Sequence, residues 1–195
     1  RTEVYDTYNS NKDYSYSITG SLQRRFAENF EGNLSYTYMQ ARDVQSILNT
    51  TPNSNWRQGN DRPWSQYNQV LNRSRWEQPH RIVAAGSYSF RRTHTDVTML
   101  YSGESGMTYE YTYNSDENAD GATNDPIYLP KDVRDQNEIK FTGYNVAGQA
   151  ANVAAQQDAF DKFINGMKCL SSQRGQIMTR NSCRTPWINE VDLSI

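Results

Sequence analysis

The sequence predicts an all-β protein, and more specifically an incomplete segment of an antiparallel transmembrane β-barrel, of about five strands, with long extracellular loops. Three features predict this fold class. Apolar and polar residues alternate over long stretches, these stretches come in pairs joined by short turns, and long polar segments separate the pairs. A helical membrane protein is excluded, because no run approaches the roughly 20 consecutive apolar residues that a spanning helix requires.

Composition alone points away from a membrane. The 195 residues have a mean hydropathy of -0.93 and a net charge of -2, which resembles a disordered chain, but disordered chains lack the 12% aromatic content found here. We therefore expect the chain to fold. The balanced charge gives no basic stripe, so no nucleic-acid partner is expected. The chain begins at Arg1 without Met or a secretory signal and ends within an alternating stretch, which indicates a fragment.

Two alternating stretches make up the first predicted hairpin, with strands at about 14–26 and 30–41. One parity carries Tyr, Ile, Leu and Gly, and the other carries mostly Ser and Thr, as expected of strands with one apolar face. The polar segment 27–29 supplies the turn. Placing the two ends of this turn opposite each other predicts the cross-strand pairs Phe26–Phe30, Leu22–Leu34, Gly20–Tyr36 and Ile18–Tyr38.

A second hairpin is predicted from strands at about 80–91 and 95–112, with a turn near Thr93 and His94. The expected pairs are Phe90–Val97, Tyr88–Met99 and Gly86–Tyr101. Both hairpins would then set a tyrosine over a glycine, an arrangement that fixes register. A fifth strand is predicted at 187–195.

Either the core of a soluble β-sandwich or membrane lipid can absorb such one-sided strands. The strands exceed the usual globular length of about 5 or 6 residues and match what a tilted strand needs to cross a bilayer. The segments 42–79 and 113–186 are far longer than the loops of about 15 residues that compact soluble domains seldom exceed. Short turns at one end and long loops at the other favour the outer-membrane barrel.

The barrel interpretation assigns each strand face. Lipid-facing residues are predicted to be Ile18, Leu22, Leu34, Val97 and Met99, and lumen-facing residues Ser17, Thr19, Asn33 and Thr98. Tyrosines gather toward the long-loop ends (Tyr14, Tyr16, Tyr36, Tyr38) and phenylalanines near the short turns (Phe26, Phe30, Phe90), as two interfacial girdles would. Arg24 breaks the apolar parity beside a short turn, where it can reach headgroups.

Short motifs lie along the chain in a characteristic order. Those next to strands are Tyr36-Thr37-Tyr38, Gln78-Pro79-His80-Arg81-Ile82-Val83 and Leu100-Tyr101-Ser102-Gly103-Glu104-Ser105-Gly106. Those in the second long loop and after it are DENADG at 116–121, NDPIYLP at 124–130, Arg174-Gly175, Arg180-Asn181 and RTPWIN at 184–189. In order and spacing these motifs resemble TonB-dependent outer-membrane receptors, in particular the Oar-like subgroup with a carboxypeptidase-regulatory-like domain.

The resemblance covers essentially the whole chain, as a C-terminal part of the barrel domain. It implies a barrel of about 22 strands around a plug, in the outer membrane of a Gram-negative-type bacterium. It also implies uptake of an unidentified extracellular ligand, energised by the TonB complex through regions absent here. Outer-membrane lipid is the other expected partner. The alternatives are a non-transporting surface barrel or adhesin, and a secreted all-β glycan-binding module.

A calcium site is one hypothesis for the loop that begins at Asp116. Asp116, Asn118 and Asp120 alternate before Gly121, as at the start of a calcium loop, and Asp125 can add a carboxylate. Ile127 stands where an EF-hand has its bidentate glutamate, and no flanking helices are evident. A polar turn without metal is the alternative.

The chain has two cysteines, Cys169 and Cys183. In an outer-membrane protein their loop faces an oxidising space, so we expect a disulfide worth about 3 kcal/mol rather than two free thiols. Before them, apolar residues at helical spacing (Val153, Phe160, Phe163, Ile164, Met167) predict a short amphipathic helix. Asn152 is its expected N-cap and Gly166 its C-cap, and its apolar stripe is expected to pack on the same loop.

Aromatic and arginine residues in the first long loop suggest a ligand site, at Trp56, Arg57, Arg62, Trp64, Tyr67 and Trp76. Rings stack on sugars or peptides and guanidinium groups grip oxygens, so glycans, peptides or anions fit. The alternative is a loop that packs on itself and places tryptophan near the membrane interface. No catalytic motif is present, so we expect no enzyme activity, and structural roles for His80 and His94.

Overall fold

The computed structural model describes residues 10–58, 70–119, 121–144 and 147–195, apart from the side chains of residues 56–58. Its strands are β1 (Tyr14–Ala27), β2 (Phe30–Asp43), β3 (Asn72–Arg73), β4 (His80–Phe90), β5 (Thr95–Glu104), β6 (Thr108–Tyr109), β7 (Tyr128–Leu129), β8 (Gln176–Ile177), β9 (Cys183–Arg184) and β10 (Ile188–Ser194). Its helices are α1 (Pro52–Gln58), α2 (Val153–Asn165) and α3 (Lys168–Ser171). No helix within these described ranges is long and apolar enough to cross a membrane.

The chain divides into two units. Among the described residues, the sheet unit comprises 10–46, 71–109 and 184–195, and the loop unit comprises 47–58, 70, 110–119, 121–144 and 147–183.

One antiparallel sheet dominates the sheet unit. Its long strands follow the order β1-β2-β4-β5-β10, and the short β3 pairs with β2. Each long strand therefore lies beside the next long strand in the sequence, as a meander does. The mostly antiparallel β character predicted from the alternation is confirmed, and four of the five predicted strands match the observed ones within two residues.

The predicted strand at 95–112 is wrong at its end, because β5 stops at Glu104. Gly106 explains the interruption. A β-carbon at this position would lie 2.2 Å from the carbonyl oxygen of Thr185 and 2.4 Å from that of Pro186. The segment that precedes β10 thus comes into direct contact with the backbone at Gly106, and only glycine permits so close an approach.

The register of the first hairpin is confirmed for three of its four predicted pairs: Leu22–Leu34, Gly20–Tyr36 and Ile18–Tyr38. The fourth is wrong, because a bulge shifts the register and Ala27, not Phe26, pairs with Phe30. The two phenylalanine rings still stack, with centroids 5.4 Å apart.

The register predicted for the second hairpin is wrong by two residues. Phe90 pairs with Thr95, Tyr88 with Val97 and Gly86 with Met99. The reason is a tight turn over 91–94, which His94 closes with a left-handed φ of 51°. Asn, Asp and His adopt this conformation more readily than other non-glycine residues.

The prediction of tyrosines over glycines is also wrong. A β-carbon at Gly20 would have nothing within 4 Å, although Tyr36 lies opposite. Phenylalanine rings cover Gly32 and Gly86 instead. The Phe26 ring would lie 3.4 Å from a β-carbon at Gly32, and the Phe30 ring 3.7 Å from one at Gly86.

The loop unit has a core of its own. The predicted helix is confirmed as α2, and the Asn152 side chain accepts the N–H of Ala155 at 3.1 Å as its N-cap. Gly166 ends the helix in right-handed conformation, with φ at -69°. The apolar stripe packs within the unit: Phe163 meets Tyr111 edge to face at 5.0 Å, and Ile164 is fully buried.

The predicted disulfide between Cys169 and Cys183 is confirmed, with the two Cα atoms 5.2 Å apart. It joins α3 to β9. In the same unit β7 pairs with β8. The buried apolar residues of this unit are Ala122, Leu129, Val133, Ile164, Leu170, Met178 and Cys183.

Candidate membrane face and loop sites

The sheet register brings most of the large apolar residues of the five long strands onto one face. Successive cross-strand partners form continuous rows, one of which consists of Leu22, Leu34, Ala84, Tyr101 and Val191. The next row consists of Arg24, Gly32, Gly86, Met99 and Leu193. The five residues predicted to face lipid (Ile18, Leu22, Leu34, Val97, Met99) all belong to this face, which we call the apolar face.

The apolar face is open. Ile18 is 68% exposed and Leu22 is 63% exposed, and Leu34, Met99, Val191 and Leu193 are each more than half exposed. Soluble monomers rarely expose contiguous apolar patches of more than a few hundred Å². A face of this kind therefore requires a cover from outside the described residues.

The opposite face of the sheet is polar. The hydroxyl groups of Thr19 and Thr37 lie 2.9 Å apart across β1 and β2, and those of Ser87 and Thr98 lie 2.9 Å apart across β4 and β5. A recess of about 270 Å³ opens on this face, lined by Gln23, Glu31, Gly32, Asn33, Ala85, Gly86, Ser87 and Thr98. Hydroxyl and amide groups that satisfy one another in pairs are compatible with water above them.

Aromatic rings edge the apolar face at its short-turn end. Phe30 lies 5.4 Å from Phe26 and 6.5 Å from Tyr88, and Tyr88 lies 4.6 Å from Phe90. The guanidinium group of Arg24 stands 5.7 Å from the centre of the Phe26 ring, in cation–π geometry. This contact accommodates the one charge that interrupts the apolar parity of β1.

A second aromatic row edges the long-loop end of the same face. Tyr16 lies 6.5 Å from Tyr14 and 6.3 Å from Tyr38, whose ring is 5.7 Å from that of His80. The hydroxyl of Tyr36 is 2.7 Å from Nδ1 of His80. His80, expected to be structural, thus belongs to this row.

Tyr101 and Trp187 were not assigned to an aromatic row from the sequence, and both of their side chains lie close to Gly103. A β-carbon at Gly103 would lie 2.3 Å from the Tyr101 hydroxyl and 3.0 Å from Nε1 of Trp187. The Tyr101 hydroxyl donates to Oδ1 of Asn189 at 2.8 Å. The signal that could have placed Trp187 on this face is its parity, because it alternates in step with Val191 and Leu193 in the predicted strand at 187–195.

The two aromatic rows are separated by about the thickness of a membrane's apolar layer. Tyr38 lies eight residues after Phe30 along β2, and Phe26 lies ten residues after Tyr16 along β1. A rise of about 3.3 Å per residue and a strand tilt near 40° convert these spacings to about 20 and 25 Å. Barrels in outer membranes have apolar bands of about 25 Å between aromatic girdles.

An arginine cluster lies at the long-loop end of the sheet unit. Glu77, only 4% exposed, accepts hydrogen bonds from Nη1 of Arg42 at 2.6 Å and from Nη2 of Arg184 at 3.1 Å, and Nε of Arg73 lies 3.0 Å from its Oε1 as an ion pair. It also accepts the backbone N–H of Ala41 at 3.2 Å. Burial and repulsion from Arg73 lower the pKa of Arg184 below its ordinary value, and Glu77 opposes that shift.

The predicted ligand site of the first long loop is not assembled by the described residues. Trp56 and Arg57 lie in α1, but their side chains fall outside the description, as do Arg62, Trp64 and Tyr67 altogether. Trp76 is 56% exposed in the sheet unit. The Oδ1 atom of Asn55, which is part of α1, accepts the N–H groups of Leu48 and Asn49 in the preceding segment, each at 2.8 Å.

The residues of the calcium hypothesis hold their loop together. Asp125, 1% exposed, accepts the N–H of Glu117 at 2.8 Å through Oδ2 and the side-chain amide of Asn118 at 2.8 Å through Oδ1. Asp116 accepts the N–H of Gly121 at 2.9 Å. Asp120 lies outside the described residues, and within the described ranges no three His, Cys, Asp or Glu side chains are grouped to hold a metal ion.

Comparison with protein-family models, with curated proteins and with solved structures finds no match to this chain. The resemblance to TonB-dependent receptors therefore stays a prediction from sequence motifs.

Proposed function

We propose that this chain is a section of the transmembrane barrel of an outer-membrane TonB-dependent receptor, a protein that binds an extracellular ligand and takes it up with energy supplied through TonB. One observation carries the membrane part of the proposal: a continuous, exposed apolar face crosses five antiparallel strands and has aromatic rows at both ends. The receptor part depends on the sequence motifs.

The free energy of the apolar face favours lipid over water. Six side chains on this face (Ile18, Leu22, Leu34, Met99, Val191, Leu193) are each more than half exposed. Fully burying one such side chain is worth about 1.5 to 3 kcal/mol, so leaving all six in water costs on the order of 10 kcal/mol. A loss of this size is comparable with the whole stability of a typical domain.

The remaining features fit the same arrangement. The polar face suits a water-filled lumen, the short turns suit the periplasmic side, and the long loops suit the outer surface. The disulfide of the loop unit suits an oxidising compartment. Five long strands are fewer than the roughly eight that close the smallest barrels, so the proposal requires further strands from a longer polypeptide.

A matched pair of lysine substitutions on β1 tests the membrane part. Leu22→Lys on the apolar face should cost about 2 to 4 kcal/mol near mid-membrane, whereas Thr19→Lys on the polar face should cost little. The measurement is urea-dependent insertion of the longer polypeptide into phosphatidylcholine vesicles, followed by tryptophan fluorescence. Equal effects of the two substitutions would defeat the face assignment.

The secreted glycan-binding module makes the opposite forecast for solubility. It requires another protein surface over the apolar face, so the chain would stay monomeric in water and would ignore vesicles. A non-transporting barrel or adhesin shares all the strand features. For that rival the deciding measurement is on the longer polypeptide: ligand uptake that stops when TonB is deleted supports a receptor, and uptake that never occurs supports the rival.

A further inference from the structure

The arginine cluster carries a surplus of positive charge around Glu77, because Arg42 and Arg184 alone already outnumber the single carboxylate that they share. Glu77 carries one negative charge and contacts three guanidinium groups, those of Arg42, Arg73 and Arg184. All three arginine side chains keep some exposure, between 22% and 32%. Burial lowers the pKa of Arg184, and repulsion from Arg73 and Arg42 lowers it further.

Arg42 retains donors on the edge of its guanidinium group that suits phosphate. Within the described part of the chain, both of its hydrogen bonds, to Glu77 and to the carbonyl of Ala41, are made through Nη1. Nε and Nη2 lie on the other edge, and two parallel N–H groups of this kind match two oxygens of a phosphate. A point charge such as lysine offers no such geometry.

The cluster also has a defined height on the sheet. Arg42 shares the parity of Tyr36 and Tyr38 on β2, and its cross-strand neighbours are Tyr14 on one side and Arg73 on the other. It lies four residues beyond Tyr38, which at a tilt near 40° is about 10 Å further out. Headgroups occupy the layer just outside the aromatic girdle.

We propose that the cluster of Arg42, Arg73 and Arg184 binds a phosphate group, supplied in the membrane by the headgroup of an outer-leaflet lipid. The recognition combines the two-donor edge of Arg42 with the excess charge around Glu77. This assignment rests on the proposed membrane location of the sheet. Free phosphate offers the same chemistry, so the experiment separates the two sources.

The first arm tests phosphate itself, without lipid. The chain is held in neutral dodecyl maltoside micelles, and its thermal unfolding midpoint is measured in inorganic phosphate and in chloride at equal ionic strength. Phosphate should raise the midpoint by about 2 to 4 °C. Arg42→Gln should abolish the rise, and Arg25→Gln, on the polar face at the opposite end of the sheet, should preserve it.

The second arm tests the lipid headgroup by vesicle flotation. Vesicles of phosphatidylcholine alone are compared with vesicles that also contain phosphatidic acid, whose phosphate is exposed. The chain should prefer the second kind, and Arg42→Gln should reduce this preference about fivefold while Arg25→Gln leaves it unchanged. A rise with free phosphate but no preference for phosphatidic acid would assign the site to soluble phosphate compounds and overturn the lipid source.

Two controls make the remaining outcomes decisive. Arg42→Lys keeps a positive charge beside Glu77, so this variant avoids misfolding caused by an unpaired carboxylate. It should retain most of the vesicle preference, which depends on charge, but lose most of the midpoint rise, which depends on the two parallel N–H donors. Equal losses in Arg42→Gln and Arg25→Gln would mean diffuse charge attraction and would overturn the site. Flotation with phosphatidylcholine alone tests the proposed membrane function, so a chain that floats there but ignores phosphate refutes only the present inference.

Discussion

The sheet unit and the loop unit bury their apolar side chains in different ways. In the loop unit Leu129, Ile164, Leu170 and Met178 are all fully buried, although most of that unit lacks regular strands. In the sheet unit the large apolar side chains are in regular strands, yet Ile18 and Leu22 remain mostly exposed. Regular secondary structure and a hydrophobic core are therefore separate properties in this chain. The loop unit supplies its own cover, whereas the sheet needs one from its surroundings.

The largest expected effect breaks the loop unit from within. Ile164→Ala removes a fully buried side chain from α2 and should destabilise this unit by about 2 to 5 kcal/mol. Hydrogen exchange followed by mass spectrometry on peptides from residues 153–178 measures the loss, and strand peptides from residues 14–43 should keep their exchange rates.

Val153→Ala is the matched control on the same helix, because Val153 is 37% exposed. This substitution should change the free energy of opening, as measured by hydrogen exchange, by no more than about 0.5 kcal/mol. If both alanines had the same small effect, the loop unit would have no core of its own and the contrast with the sheet would disappear.

The next effect concerns the disulfide. Replacing both Cys169 and Cys183 with serine removes a cross-link between two positions that are 14 residues apart in sequence. The loop unit should then lose about 3 kcal/mol of stability. Urea titration with exchange of loop peptides as the readout checks the figure. Reduction of the wild-type chain should reproduce it, and stabilisation that survives reduction would mean that packing alone holds the unit.

A glycine pair tests a tightly packed place in the sheet unit. Gly106→Ala forces a β-carbon against the backbones of Thr185 and Pro186 and should cost about 1 to 3 kcal/mol. Gly20→Ala, where nothing lies within 4 Å, should be neutral or slightly stabilising. Thermal unfolding in neutral micelles measures both. A harmless Gly106→Ala would show that the segment before β10 does not press on β5's end.

Local patterns in the sequence predicted much of this structure. Alternation placed four strands within two residues, helical spacing placed α2, and the presence of two cysteines placed the disulfide. Each of these signals is read from neighbouring residues or from a single pairing choice. The register of the first hairpin followed for the same reason, because its turn was short and polar.

What the sequence did not predict depends on contacts between distant segments or on turn geometry. The left-handed conformation of His94 shortened the second turn and shifted its register, and nothing in the alternation distinguishes the two registers. The end of β5 depends on Thr185 and Pro186. The arginine cluster joins Arg42 to Arg184 through Glu77, and no local pattern relates positions so far apart.

The smallest expected effect concerns the N-cap of α2. Asn152→Ala removes the acceptor of the Ala155 N–H and should cost about 1 kcal/mol, because a helix N-terminus then loses a side-chain partner. Asn152→Asp should restore most of the loss, since aspartate caps as well as asparagine and favours the positive end of the helix dipole. Exchange of amides in the first turn of α2 reports both changes, and strand peptides serve as the internal reference. A cap that mattered as much as Ile164 would mean that local hydrogen bonds, rather than the buried core, hold the loop unit together.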